Sequence, residues 1–180
     1  MNTILITSNK PRHLYFVNEI SKVVDIDAVF LIKKENANSA FSDAENKFFL
    51  KHQEIKQKNL STFEFEGEEE FLESKFLIEN VRPDIGFVFG APLLPEKIIK
   101  IPNKGFVNIH TGLVQHHRGV DSSYWAIYEN RPETIGVTIH YIDKSIDGGG
   151  VIAQKNNNIL SIDDTPDDIF LKNCMVGVSL

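Results

Sequence analysis

"TILITSNKPRHLYFVNEISKVVDIDAVFLIKK", residues 3–34, decides the fold class. "TILITS" and "DAVFLIKK" are short runs with β-strand composition. Between them Leu14, Phe16, Val17, Ile20 and Val23 recur at helical spacing and can share one face. Strand, helix, strand is the unit from which parallel sheets are built. Further along, "DIGFVFG" (84–90) is apolar almost throughout, as a central strand covered on both faces should be. "GFVNIHTG" (105–112) is the next strand, and "TIGVTIHYID" with "GGVIAQKNNNI" flanks a turn that holds Asp147.

Helices fill the intervals. Residues 38–58, charged with few apolar positions, read as an exposed helix. "EEEFLESKFLIENV" (68–81) places Phe71, Leu72, Phe76 and Leu77 on one side, and "DSSYWAIYEN" (121–130) has Asp121 or Ser122 available as N-cap. The last helix opens with Thr165 as cap, Pro166 in its first turn and Asp168 closing a box. It stops on "MVGVSL" without a cap, so a shortened C-terminus is expected. The reading is one α/β domain over residues 1–180, Rossmann-like, with a mostly parallel central sheet and helices on both faces.

Composition narrows the function. A net charge of −6 lacks the basic face that a general nucleic-acid binder needs. One cysteine, Cys174, excludes a disulfide framework and a multi-cysteine metal site and reads as a core thiol. The start has no signal-peptide pattern, and no apolar run reaches the length of a membrane span, so a soluble cytoplasmic protein with no membrane partner is expected. His110, His116 and His117 lack the spacing of zinc or iron ligands, and no metal is assigned. His13, His52 and His140 are set aside as surface or packing residues.

Asn108 and His110 are two apart in a strand, so their side chains leave the same face, where open α/β sheets place ligands. Both could equally cap the strand end. Asp147 before three glycines could be a turn residue and no more. Together they form a chemical set: an imidazole to exchange a proton, a carboxylate to orient it, and an amide to steady a developing oxyanion. Such a set suits acyl transfer, and no serine or cysteine has an evident base partner for a covalent route.

These residues, with the "GVT" strand between them, resemble the catalytic core of the folate-dependent formyltransferases. The pattern falls on Asn108, His110, Leu113, Gly119, Gly136, Val137, Thr138 and Asp147. The resemblance implies 10-formyltetrahydrofolate as formyl donor, held by Gly90, Ala91, Pro92, Leu93 and Leu94 and by Ile142, Asp143 and Ile146. It implies catalysis by Asn108, His110 and Asp147. Many members read Ser-Leu-Leu-Pro-x-aromatic-Arg-Gly after the His; this chain has Gly112 to Gly119 as "GLVQHHRG", so acceptor contacts should differ.

Within the family the acceptor is expected to be a nucleotide-linked amino sugar, such as a dTDP-4-amino-4,6-dideoxy sugar. Lys10, Arg12, His116, His117, Arg118 and Tyr124 are its candidate contacts, and a homodimer is left open. The turn "TSNKPRH" has no glycine for a phosphate loop, which speaks against glycinamide ribonucleotide, and the acidic chain speaks against methionyl-tRNA. Two other classes stand beside this reading. One is a non-catalytic folate- or nucleotide-binding α/β module. The other is a dehydrogenase, disfavoured by the missing Gly-x-Gly-x-x-Gly.

Overall fold

Every residue of Thr3–Ser8 (β1) and of Ala28–Ile32 (β2) is buried, which is how strands covered on both faces must be built. The structure is a computed structural model that describes residues 1–34, 39–57 and 60–180. Pro11–Ile20 (α1) joins β1 to β2 as expected, with Pro11 in its first turn and Leu14, Phe16 and Val17 buried. Val23 lies beyond the helix end and is 81% exposed, so it does not belong to the apolar face.

Ser61–Phe65 (β3) is a strand that the sequence reading did not find. Its signal is the alternation Phe63, Phe65, weakened by the intervening Glu64. Phe63 stacks on Phe30 of β2 with ring centroids 5.1 Å apart. Residues 68–81 then form two helices, Glu68–Glu73 (α3) and Lys75–Val81 (α4), broken at Ser74. The break turns Phe76 outward to 60% exposure and buries Ile78 with Phe71, rather than the single face read from the sequence.

Ile85–Phe89 (β4) returns to pair with β1, and the short Glu96–Ile99 (α5) leads to Phe106–His110 (β5). Strands β3, β2, β1, β4 and β5 pair in that order and all in parallel. The chain runs outward from β1 to β3, then reverses to β4. With right-handed crossovers, that reversal puts the connections on opposite faces. The full strand order is β3-β2-β1-β4-β5-β6-β7 in a seven-stranded mixed sheet, where Gly136–Tyr141 (β6) and Val151–Asn156 (β7) are antiparallel.

The chain divides into two compact units, residues 1–36 with 51–108, and residues 37–50 with 109–180. The second unit holds Ser39–Phe49 (α2), Ser122–Tyr128 (α6) and Pro166–Ser179 (α7) with the antiparallel pair. α2 covers the middle of the stretch read as one exposed helix; positions 38 and 58 lie outside the described residues. It is not wholly exposed, since Glu45 and Phe49 are buried. Thr165 and Asp168 form the expected capping box at the start of α7, and Lys47 of α2 reaches Asp168 at 2.9 Å. Among the described residues no helix is long and apolar enough to cross a membrane.

Gly86 pairs with Phe106 across β4 and β5, and a Cβ there would lie 2.1 Å from the fully buried Phe106 ring. Gly86→Ala must displace that ring. It should cost about 1–3 kcal/mol of stability, as overpacking of a filled core does, and thermal or urea unfolding would measure the loss.

Candidate active site

Asp147 takes a left-handed backbone conformation, φ 47°, in the turn between β6 and β7. Short polar residues tolerate that region better than others. The glycines after it have a steric reason: a Cβ on Gly149 would lie 1.8 Å from the Tyr141 carbonyl oxygen, which closes the turn from the other side. The result aims a carboxylate only 14% exposed at two imidazoles. Its Oδ2 is 3.2 Å from His110 Nδ1, and its Oδ1 is 3.3 Å from His140 Nε2. The backbone N–H of Gly119 also donates to Oδ2, at 2.7 Å.

His140 is the member that the sequence reading missed. It is 2% exposed, neither a surface residue nor inert packing. Thr138 lies two residues earlier in the same strand and is also buried, so the period-two pattern could have found it. Its Nδ1 is 2.8 Å from the Tyr141 carbonyl and its Nε2 faces Asp147. Both neighbours accept only, which favours a hydrogen on each ring nitrogen. Burial, the largest single influence, opposes the charge, but the Asp147 and Tyr141 contacts outweigh it and raise the pKa above the ordinary histidine value.

His110 goes the other way. Burial is again the largest influence and pulls its pKa down, only partly offset by Asp147 and the His117 carbonyl. That carbonyl is 2.9 Å from His110 Nε2. Asp147 itself is held below the usual carboxylate range: burial pushes it up, but the His140 contact, the charge of His110 and the Gly119 amide together prevail. One carboxylate thus sits between two imidazoles whose pKa values are moved in opposite directions. Thr138 anchors the adjoining loop, donating to the Gly112 carbonyl at 2.7 Å and accepting from Val114 N–H at 3.3 Å.

Asn108 closes the first unit, in register with Val88 of β4, and His110 follows two residues on along β5. Residues 18–173 match the Formyl transferase family. The chain belongs to that family.

Over 83 residues it is 36% identical to the methionyl-tRNA formyltransferase of Desulforamulus reducens, covering 46% of this chain and 26% of that protein. Over 102 residues it is 35% identical to the bifunctional polymyxin resistance protein ArnA of Wigglesworthia glossinidia brevipalpis, covering 56% and 15%. The aligned segments therefore span about a quarter or less of these two relatives.

Two solved formyltransferases show the same fold. Phosphoribosylglycinamide formyltransferase from Streptococcus pneumoniae matches with TM-score 0.69 and 19% identity, over 99% of this chain and 94% of that one. A sugar N-formyltransferase from a Shewanella species matches with TM-score 0.64 and 18% identity, over 99% and 66%.

In this formyl transferase chain the other expected site residues are less uniform. In the first unit the switch point between β1 and β4 carries Lys10, Arg12 and the 90–94 segment. Lys10 is buried and donates to the Lys34 carbonyl at 2.6 Å. Gly90 has φ +72° and lies against the His13 ring; a Cβ there would be 2.2 Å from that ring. His13 is buried beside Ser8, and burial, then the neighbouring Arg12, holds its pKa well below the usual value. Leu93 is 75% exposed and Leu94 buried.

In the second unit His116 and Arg118 are exposed, but His117 is not: its Nε2 is 2.9 Å from Thr134 Oγ1. The Tyr124 hydroxyl donates to Asp167 at 2.7 Å, which ties α6 to α7. Ile146 is exposed, and Asp143 accepts from Ser145 N–H at 2.8 Å, shaping the 142–146 segment.

The opposite shifts of the two histidines have opposite consequences for stability. A raised folded pKa contributes stability that is fully present below the unfolded value, about 6.5, and is lost as pH rises through the folded one. The stability difference between wild type and His140→Gln should therefore be largest near pH 5.5 and shrink toward pH 8.5, as read by urea titrations across that range.

Proposed function

We propose that residues 1–180 form a formyltransferase catalytic domain that moves the formyl group of 10-formyltetrahydrofolate directly to the amine of a nucleotide-linked amino sugar. Family membership supports formyl transfer, and the observation that carries the reading is the single carboxylate shared by His110 and His140. The acceptor nitrogen bonds to the formyl carbon as the bond to N10 breaks, and the proton leaving the amine replaces the formyl group on N10. Asn108 and His110 steady the oxygen that gains charge. Asp147 keeps His110 in its working protonation state and helps move the amine proton.

The donor segments suit a flat heteroaromatic ring. Leu93 and Ile146 offer exposed apolar surface. For the acceptor, the loop after β1 has no glycine and begins α1 at Pro11, which has no N–H to give a phosphate. That favours a small acceptor whose diphosphate is met by side chains such as Arg12, His116 and Arg118.

Incubating the protein with 10-formyltetrahydrofolate and a panel of amines, with free tetrahydrofolate as readout, tests the reaction. Asn108→Ala, His110→Ala and Asp147→Asn should each lower turnover about 10²–10⁴-fold, the usual worth of acid–base groups, with fold and folate affinity retained. Full activity in folded Asp147→Asn would reject the catalytic assignment.

The acceptor is tested separately. Product mass should show formylation of a dTDP-linked 4-amino-4,6-dideoxy sugar and none of glycinamide ribonucleotide; the reverse preference would reject the acceptor and leave the transfer chemistry standing.

A further inference from the structure

The Nε2 atom of His110 has two close neighbours of different chemistry. The His117 carbonyl oxygen, 2.9 Å away, can only accept a hydrogen bond. The Ser122 hydroxyl, 3.2 Å away, can accept or donate. That same hydroxyl lies 3.2 Å from the Gly119 carbonyl oxygen. It has one proton and two acceptors within reach. We propose that Ser122 is a positioning residue that fixes which nitrogen of His110 carries the proton, by turning its hydroxyl between Nε2 and the Gly119 carbonyl. The proposal rests on His110 being the group that works on the transferring formyl.

With a charged ring, Nδ1–H donates to Asp147, Nε2–H donates to the His117 carbonyl, and the Ser122 proton goes to Gly119. A neutral ring must give up one of its two protons. Losing the one on Nδ1 would set a nitrogen lone pair against the Asp147 carboxylate at 3.2 Å. Losing the one on Nε2 would set a lone pair against a carbonyl oxygen, but Ser122 can then rotate and donate to it. Only the second loss has a remedy. The neutral ring is therefore held as the Nδ1–H form, oriented by Asp147. No bond between heavy atoms changes: the Nε2–H bond breaks, its proton passes to solvent, and the Ser122 hydroxyl turns from Gly119 to Nε2. The other groups around the ring are His140, across Asp147 with ring centroids 6.4 Å from those of His110, and the side chain of His117.

The fold makes room for this contact. A Cβ at position 112 would lie 2.6 Å from His110 Nε2 and 2.8 Å from Ser122 Oγ, so only glycine lets the hydroxyl approach. Ser122 is 3% exposed, which leaves bulk water no place to substitute for it. The helix that carries it is pinned by its next residue: Ser123 Oγ donates to the Thr111 carbonyl at 3.2 Å and accepts from Asn173 of α7 at 2.8 Å. Asp121, not Ser122, occupies the N-cap, so the hydroxyl is not consumed by capping.

Nitrogen-15 NMR of the His110 ring tests this in the whole chain. In Ser122→Ala the Nδ1–H share of the neutral ring should fall about fivefold relative to Nε2–H, the worth of one ordinary hydrogen bond. The midpoint of the His110 titration should move to higher pH, because the neutral form has lost its partner. Ser122→Thr should restore both, and Ser122→Val, of the same shape without the hydroxyl, should not. In turnover assays the pH limb governed by His110 should move the same way in Ser122→Ala while KM for folate holds.

An unchanged tautomer and midpoint in folded Ser122→Ala or Ser122→Val would overturn the inference. If the NMR changes occur in a protein that transfers no formyl group, the assignment of Ser122 stands and the functional reading falls.

Discussion

A half-buried carboxylate with two imidazoles and one backbone amide around it leaves little freedom to anything nearby. Asp147 cannot face both His110 and His140 unless its turn closes tightly, and that closure needs a glycine against the Tyr141 carbonyl. Gly119 must present its N–H from a separate loop, and Thr138 ties down that loop's start through the Gly112 carbonyl. The shared charge also separates the two rings chemically. The pKa of one is raised and that of the other lowered by burial, so neighbouring groups with the same intrinsic acidity are made to differ.

The parallel sheet was legible because its strands are continuous apolar runs with a helical period between them. β3 escaped because it is short and mostly exposed, and Glu64 dilutes its alternation. The break at Ser74 escaped for another reason: a helical period carries through a one-residue interruption in the sequence, whereas the faces it predicts do not. Capping chemistry was local and therefore readable, as at Thr165, Pro166 and Asp168. At Asp121 the residue type was right but the mechanism was not, since it takes φ 61° and makes no side-chain cap.

In the candidate site, His110 and Asp147 were singled out by type and order, and the structure brings them to 3.2 Å of each other; Asn108 remains a proposal. His140 could not be separated from a packing histidine without knowing what faces it across the turn. The same limit applies to the run after His110. Four consecutive polar residues, Gln115 to Arg118, look alike in the sequence, yet His117 is buried on Thr134 and lends its carbonyl to His110, while His116 stays exposed. Burial that depends on loop geometry carries no periodicity from which to predict it.

The ladder between β6 and β7 is irregular between Ile139 and His140: Ile139 pairs with Ala153, and His140 with Val151, so Ile152 is left as an extra residue. That surplus lies on the far side of the His140–Val151 pair from Asp147, so it leaves the length of the turn unchanged and acts on the rest of β7. An extra residue bends the strand and resets which face each later side chain takes. The bulge thus lets β7 change faces without moving the carboxylate.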